Sequence, residues 1–246
     1  MKSYFEENTY EELKEAIEKN SIVLLPVGQI EEHGIHLPVK TDAFIADKIC
    51  EKLAEVSEVP VIIMPTIRYG YSTKEVKRWP GCPGVKIETL INYVYDICSS
   101  LVEMGFKKIV IISSHGNHTG ALEVVVRKIA DDFGVYMALT IPNVIAKEKI
   151  NKILETGWRG NCHGCEYETS LMLYLEEKSV YMEKATDVDI LKIDKKFYPG
   201  KVFISTWGLQ KSQTGIYGAP TYASREKGEK IFNAIIEEYT QFLKEF

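Results

Sequence analysis

The chain has 246 residues, enough to bury the core of one large domain but short for two full-sized enzyme domains. Hydrophobic residues make up 45% and charged residues 26%, which argues against a disordered chain or a repetitive fibre. The 30 basic and 35 acidic residues give a net charge of −5, so no basic excess is available to bind nucleic acid or an anionic membrane. We expect a single domain over residues 1–246, with neither of those partners.

The chain also lacks the apolar segments that direct proteins to or through membranes. Residues 1–20 contain no apolar core of a signal peptide, and no later run approaches the roughly 20 apolar residues that span a bilayer. We therefore expect a cytoplasmic location. The five cysteines are an odd number in a chain that can build its own core, which favours reduced thiols over a disulfide framework.

Short apolar runs alternate with helical periodicity along the first 140 residues. The runs are rich in β-branched residues, as in strands buried on both faces of a parallel sheet, and lie at 21–27, 59–65, 107–114 and 134–140. Apolar residues at helical spacing predict helices over 42–56 and 88–104. This alternation predicts an α/β layered fold with right-handed crossovers.

The alternation weakens in the second half of the chain. A short helix is predicted over 168–177, and a loop-rich stretch follows that contains Gly200, Gly208, Gly215 and Gly218. Residues 224–246 then predict a closing amphipathic helix. Because ligands bind beyond the carboxyl ends of parallel strands, the segments after residues 27, 65 and 114 are where we expect a site.

Histidines mark two of those strand ends. The five histidines fall in three short segments, and the first segment, Pro26–Asp42, also carries carboxylates. Glu31, His33 and Asp42 form an O,N,O donor set that suits zinc or manganese. Glu31 and His33 are two residues apart, so in extended chain their side chains point the same way. Asp42 opens a predicted helix, where backbone capping explains an aspartate equally well.

The second segment, Ser113–Gly120, follows the most convincing predicted strand. His115 lies at the strand end and is backed by glycines that allow a close turn, which fits a ligand position. Taken alone, a loop histidine that hydrogen-bonds the backbone is the more common case.

The third segment, Asn161–Ser170, combines a Cys-x-x-Cys pair with His163 and two glutamates. No second cysteine pair exists to close a structural zinc site, and the position late in the chain does not suit a thioredoxin-like motif. Glu166 and Glu168 are two residues apart and cannot share a helical face, so at most one faces a given site. A hydrolase with Cys162 or Cys165 as nucleophile beside His163 is an alternative from another class.

Together these motifs resemble the creatininase (creatinine amidohydrolase) family over nearly the whole chain. The Pro-Val-Gly-x-x-Glu-x-His-Gly-x-His-Leu-Pro-x-x-x-Asp sequence is similar to the N-terminal metal signature of that family. The block at His115, the His-Gly-Cys-Glu-Tyr-Glu-Thr-Ser block from His163 and the Gly-Ala-Pro-Thr-Tyr-Ala-Ser-Arg-Glu-Lys-Gly-Glu segment (218–229) match three further motifs in order. The resemblance implies a three-layer α/β sandwich with a mostly parallel central sheet.

The resemblance also implies a set of metal ligands. By it, Glu31 binds one ion, His33 binds the other, Asp42 bridges them and His115 completes part of the shell. Creatininase takes a further ligand from a glutamate two residues after the second-block histidine, where this chain has Asn117. Relatives without that glutamate commonly carry one three residues after the third-block histidine, so Glu166 is the expected replacement.

A hydrolytic function follows from the same resemblance. Two divalent ions, zinc and/or manganese with iron as an alternative, would lower the pKa of a bridging water to near neutral. His163 matches the family's histidine near the substrate and is the expected catalytic residue, donating a proton to the departing nitrogen. The expected substrate is a small molecule with a non-peptide C–N bond, a cyclic amide or a formamide, and a homo-oligomer is expected. A peptidase that trims a cofactor precursor and a non-catalytic binding protein are the alternatives.

Overall fold

The computed structural model describes residues 2–188, 205 and 211–246, so Gly200 and Gly208 of the loop-rich stretch lie outside the described residues. The strands are β1 (Ile22–Val27), β2 (Val61–Ile63), β3 (Lys108–Ser113) and β4 (Tyr136–Thr140). In the described part of the chain they form one parallel sheet in the order β2-β1-β3-β4. All four predicted strands are thus confirmed, each shortened by one or more residues at its ends.

Helices connect and cover the strands. They are α1 (Tyr10–Glu18), α2 (Thr41–Val56), α3 (Lys74–Lys77), α4 (Ile87–Met104), α5 (Thr119–Phe133), α6 (Pro142–Ile145), α7 (Lys147–Ile153), α8 (Glu166–Glu176) and α9 (Arg225–Glu245). The predicted bounds of α2, α4 and α9 agree to within one residue. The predicted start of α8 is two residues late, and this shift matters for the site.

Each face of the sheet carries its own hydrophobic core. Leu24 of β1 packs into a core with residues of α2, α8 and α9, whereas its neighbours Val23 and Leu25 pack into a second core with α4 and α5. Every residue of β1 is buried, because helices cover both faces. The structure therefore confirms the predicted three-layer α/β fold. Within the described ranges, no helix combines the length and apolarity that crossing a lipid bilayer requires.

The carboxyl ends of β1 and β3 lie side by side, because Val27 pairs with Ser113 in the parallel register. The segments that follow these two strands therefore start next to each other. The hydroxyl of Ser114 donates a 2.5 Å hydrogen bond to the carbonyl oxygen of Asp42, which ties the end of β3 to the start of α2. This edge of the sheet brings together parts of the chain that are more than 70 residues apart.

Close packing of α9 on α8 explains one glycine of the last sequence motif. A Cβ added to Gly228 would lie 1.9 Å from the carbonyl oxygen of Ser170, whereas one added to Gly120 of α5 would meet nothing within 4 Å. We expect Gly228→Ala to lower the free energy of unfolding by about 1–3 kcal/mol through overpacking. Gly120→Ala should leave it unchanged or raise it by up to about 1 kcal/mol. Urea unfolding of both variants measures this, and equal stabilisation by the two substitutions would contradict the close approach.

Candidate metal centre

Acidic and imidazole side chains from four segments meet at the carboxyl edge of the sheet. Two of them lie in the loop after β1. The second residue of α2, the loop after β3 and the first turn of α8 contribute one side chain each. All are buried: Glu31, His33, Asp42, His115 and Glu168. The structure thus brings together four of the five residues expected as ligands, with Glu168 as the fifth member in place of Glu166.

Two donor groups share one aspartate. In the first group, His115 Nδ1 lies 3.2 Å from Glu31 Oε1 and 3.0 Å from Asp42 Oδ2. In the second group, His33 Nε2 lies 3.0 Å from Asp42 Oδ1 and 3.9 Å from Glu168 Oε1. The donor atoms within each group all lie within 4.8 Å of one another. Asp42 therefore presents one carboxylate oxygen to each group, the arrangement of a ligand that bridges two ions.

Hydrogen bonds from the surrounding chain fix the orientation of these side chains. His33 Nδ1 donates to the carbonyl oxygen of Glu31 at 3.1 Å, which leaves Nε2 directed at Asp42. The hydroxyl of Ser72 donates to Glu31 Oε2 at 2.6 Å, so only Oε1 faces His115. Such outer contacts set the tautomer and direction of metal-binding groups. Ser72 comes from the segment after β2, and sequence reasoning did not identify it, because an isolated serine carries no recognisable signal.

The pKa values of the cluster reflect strong pairing of opposite charges. Burial lowers the pKa of His33, but the carboxylates of Asp42 and Glu168 outweigh burial and raise it to about 10. Burial likewise opposes the charged form of Asp42, but His33 and His115 hold the pKa of that carboxyl below its ordinary value. The anions are thus stable only with positive charge beside them.

The donor chemistry fits divalent cations. Glu31 Oε1 and Asp42 Oδ2 are buried carboxylate oxygens with no hydrogen-bond partner among the described residues, although His115 Nδ1 lies close to both. A buried anionic oxygen needs a compensating partner, and a cation between these three atoms would supply it. Carboxylate and imidazole donors in this combination suit zinc or manganese.

Asp42 does not cap its helix. Lys40 is the N-cap residue of α2, and Asp42 lies inside the helix with its carboxylate turned to His33 and His115. The capping interpretation of this aspartate is therefore wrong.

The structure corrects the expectation for Glu166. Its carboxylate accepts hydrogen bonds from the backbone amides of Glu155 and Thr156 and pairs with Lys227 Nζ at 2.6 Å. Burial raises the pKa of Glu166, but Lys227 and Thr156 outweigh burial and lower it. Because α8 begins at Glu166, this side chain points back to the 155–156 loop and away from the cluster.

Glu168 occupies the place expected for Glu166. As the third residue of α8, it accepts the backbone amides of Gly164 at 2.7 Å and Cys165 at 3.4 Å through Oε2, while Oε1 faces His33. The carboxylate of Glu168 thus caps the helix with one oxygen and belongs to the cluster through the other. The two-residue spacing predicted that only one of the two glutamates faces the site. The residue at which α8 starts decides which glutamate this is. The sequence-based prediction placed that start two residues late.

His163 lies at the edge of the cluster. Its ring stacks on that of His33 with centroids 4.3 Å apart, and its Nδ1 is 3.5 Å from Glu31 Oε1. Its backbone pairs with Tyr217 through two hydrogen bonds of 3.0 and 2.8 Å. Burial and His33 lower the pKa of His163, but Glu32, Glu31 and Glu168 outweigh them and raise it. The ring therefore lies directly beside the donor atoms of Glu31 and His33.

The two other histidines support the site. His36 Nε2 lies 2.9 Å from the hydroxyl of Thr169 on α8, which joins the loop after β1 to that helix. Burial lowers the pKa of His36 to about 4 and that of His118 to about 3, so both rings are neutral. His118 accepts the backbone amide of Tyr71 at 3.0 Å and packs edge-on against His115. These contacts hold both rings in place beside the cluster.

The pKa values of the two thiols do not support the cysteine alternative. Burial raises the pKa of the Cys162 thiol to about 12, and burial also raises the pKa of Cys165 well above its ordinary value. Both thiols stay protonated at neutral pH, whereas a cysteine nucleophile must be a thiolate.

The sequence model of the creatininase family, described as creatinine amidohydrolase, matches residues 6–243. The chain belongs to the creatininase family. Creatinine amidohydrolase of Pseudomonas putida is 26% identical over 238 residues, which cover 91% of this chain and 89% of the relative. The mycofactocin precursor peptide peptidase of Mycobacterium tuberculosis (strain CDC 1551 / Oshkosh) is 25% identical over 88% of this chain and 82% of its own length.

Solved creatininase structures share the fold. One described as "Creatininase Mn" superposes with a TM-score of 0.82 at 24% identity, covering 100% of this chain and 98% of that chain. These matches confirm the expected family, the fold class and a hydrolase of carbon–nitrogen bonds as the enzyme class. This creatininase-family chain carries its clustered carboxylates and histidines in the segments that the sequence motifs marked.

Proposed function

We propose that this creatininase-family chain is a metal-dependent amidohydrolase that cleaves a non-peptide C–N bond of a cyclic amide or a formamide. The observation that carries the proposal is the shared carboxylate of Asp42, which presents one oxygen to each of two buried donor groups. Family membership supplies the reaction class, and the donor groups supply the place where it occurs. The substrate would be a small molecule, because the ligand-bearing side chains are almost fully buried.

The residues of the two groups would hold two divalent ions, zinc or manganese. Glu31 and His115 would serve one ion, His33 and Glu168 the other, and Asp42 both. When bound, such ions polarise a carbonyl and lower the pKa of a coordinated water to near neutral. Burial of the side chains around them limits access of other water, which strengthens every electrostatic interaction at the centre.

His163 would act on the departing nitrogen. Amines leave poorly unless protonated, so hydrolysis of an amide needs a proton donor beside the carbonyl. The ring of His163 lies against both His33 and Glu31, on the edge of the centre, and its backbone is held by Tyr217.

Metal analysis and a substrate screen test the proposal together. We expect the purified protein to contain about two zinc or manganese ions per chain, as the shared carboxylate implies. It should hydrolyse at least one member of a panel of creatinine, other cyclic amides, formamides and short peptides, and a chelator should abolish that activity. Cleavage of peptides alone would support the peptidase alternative, which the M. tuberculosis relative represents. Full ion content without turnover of any compound would support the non-catalytic alternative.

His163→Ala tests the proposed proton donor. We expect turnover to fall by about 10²- to 10⁴-fold, the usual contribution of general acid–base catalysis. The ion content should stay at the wild-type level, because the two donor groups that share Asp42 are complete without His163. Steady-state kinetics and metal analysis on the same sample measure both quantities. Loss of the ions in this variant would instead identify His163 as a ligand.

We further propose a cytoplasmic homo-oligomer. Light scattering coupled to size-exclusion chromatography measures the mass of the assembly, and a monomer at all concentrations would contradict this part of the proposal.

A further inference from the structure

Glu32 is a buried carboxylate that the two donor groups do not use. It lies between two proposed ligands in sequence, and only 6% of its surface is exposed. Its Oε2 accepts the backbone amide of Gly34 at 2.9 Å. A Cβ on Gly215 would lie 2.0 Å from the same oxygen, so the chain packs directly against Glu32. The side chain is therefore held in one position.

The other oxygen of Glu32 faces His163. Oε1 lies 3.4 Å from His163 Nε2, whereas the other ring nitrogen, Nδ1, faces Glu31. Stacking on His33 fixes the plane of the His163 ring, and the backbone hydrogen bonds with Tyr217 fix the position of the His163 backbone. The contacts of the two ring nitrogens then decide between the two orientations of the ring that differ by a flip of about 180° around the Cβ–Cγ bond.

We propose that Glu32 is a positioning residue that holds the His163 ring with Nε2 as donor to Glu32 and Nδ1 facing the metal centre. A carboxylate only accepts hydrogen bonds, so the nitrogen beside it carries a proton in the neutral ring. The lone pair of Nδ1 is then directed at the centre. This inference rests on the proposed function of His163 and adds which of its two ring nitrogens exchanges the proton.

The assignment defines the proton path. Nδ1 takes the proton that the attacking water loses as its oxygen bonds to the substrate carbon. Nδ1 then returns the proton to the nitrogen as the C–N bond breaks, and the ring is neutral again with Nε2 bound to Glu32. Carboxylates that orient a histidine by accepting from its far nitrogen do this in hydrolytic sites on unrelated folds.

Glu32→Gln tests the proposal, because it keeps the size of the side chain and removes its charge. We expect kcat on the amide identified by the screen to fall by about 10- to 100-fold, the usual cost of losing an orienting partner. KM should change less than about twofold and the zinc content should stay at the wild-type level, since Glu32 is in neither donor group. Glu32→Asp retains the carboxylate and should recover part of kcat. Asp47→Asn, which removes a carboxylate paired with Arg68, is the matched control and should behave as wild type.

Nitrogen-15 spectra of the histidine rings provide a readout that does not require activity. The chain has five histidines, and His163→Gln assigns the signals of His163 in the zinc-loaded protein. We expect a protonated Nε2 in wild type, a changed tautomer balance in Glu32→Gln and no change in Asp47→Asn. Unchanged ring signals with wild-type kcat in Glu32→Gln would overturn the proposal, as would a loss of kcat that matches a loss of zinc. If the wild-type protein hydrolyses nothing in the panel, the proposed function fails and the spectra alone decide the role of Glu32.

Discussion

Asp42→Asn should release both metal ions and reduce hydrolysis by more than about 100-fold, a larger effect than loss of an outer orienting contact. The carboxylate of Asp42 is the one group common to the two donor groups described above, with His115 Nδ1 and His33 Nε2 each 3.0 Å from one of its oxygens. Asparagine keeps the shape of the side chain but has only one oxygen and no negative charge. It therefore binds both ions more weakly than aspartate does. Metal analysis after dialysis and the steady-state rate on the same preparation measure the two effects.

Asp47→Asn is the matched control for this experiment. Asp47 lies in the same helix and loses the same charge, but its carboxylate contacts Thr66 and Arg68 instead of the cluster. It should retain ions and activity. An Asp42→Asn protein that keeps both ions would contradict the bridging role, even if its activity were low.

The strands and the main helices could be predicted because their signals are local. Every residue of β1 is buried by helices on both faces, and this requirement appears in the sequence as an uninterrupted apolar run. The periodicity of α4 likewise records which of its residues face the sheet. A parallel sheet then places the segments after β1 and β3 together, so Glu31 and His115 could be assigned to one site.

The details of the site depend on contacts that no local pattern records. Ser72 orients Glu31 across 41 residues of sequence, and Glu32 faces His163 across more than 100. The partner of Glu166 is Lys227 on α9, a contact fixed only when the last helix packs on α8. Sequence spacing predicts that Glu166 and Glu168 diverge, but the packing of Lys227 and the start of α8 determine the direction of each.

Substitution of these two glutamates, one at a time, should give opposite results. Glu168→Gln should reduce the ion content from about two per chain to about one, because the donor group with His33 and Asp42 loses its third ligand. Its stability in the absence of ions should stay close to that of wild type, since glutamine still offers an oxygen to the amides of Gly164 and Cys165.

Glu166→Gln should instead keep both ions and lower the free energy of unfolding by about 2–4 kcal/mol, the range for charged hydrogen bonds and buried pairs. Glu166 is fully buried, and its charge compensates Lys227, whose side chain is only 14% exposed. Lys227→Met should destabilise at least as strongly, because it leaves the Glu166 carboxylate buried without its cation. Urea unfolding of ion-free protein and metal analysis distinguish the two glutamates. Loss of an ion from Glu166→Gln, with full ion content in Glu168→Gln, would restore the sequence-based assignment and contradict the placement of both side chains.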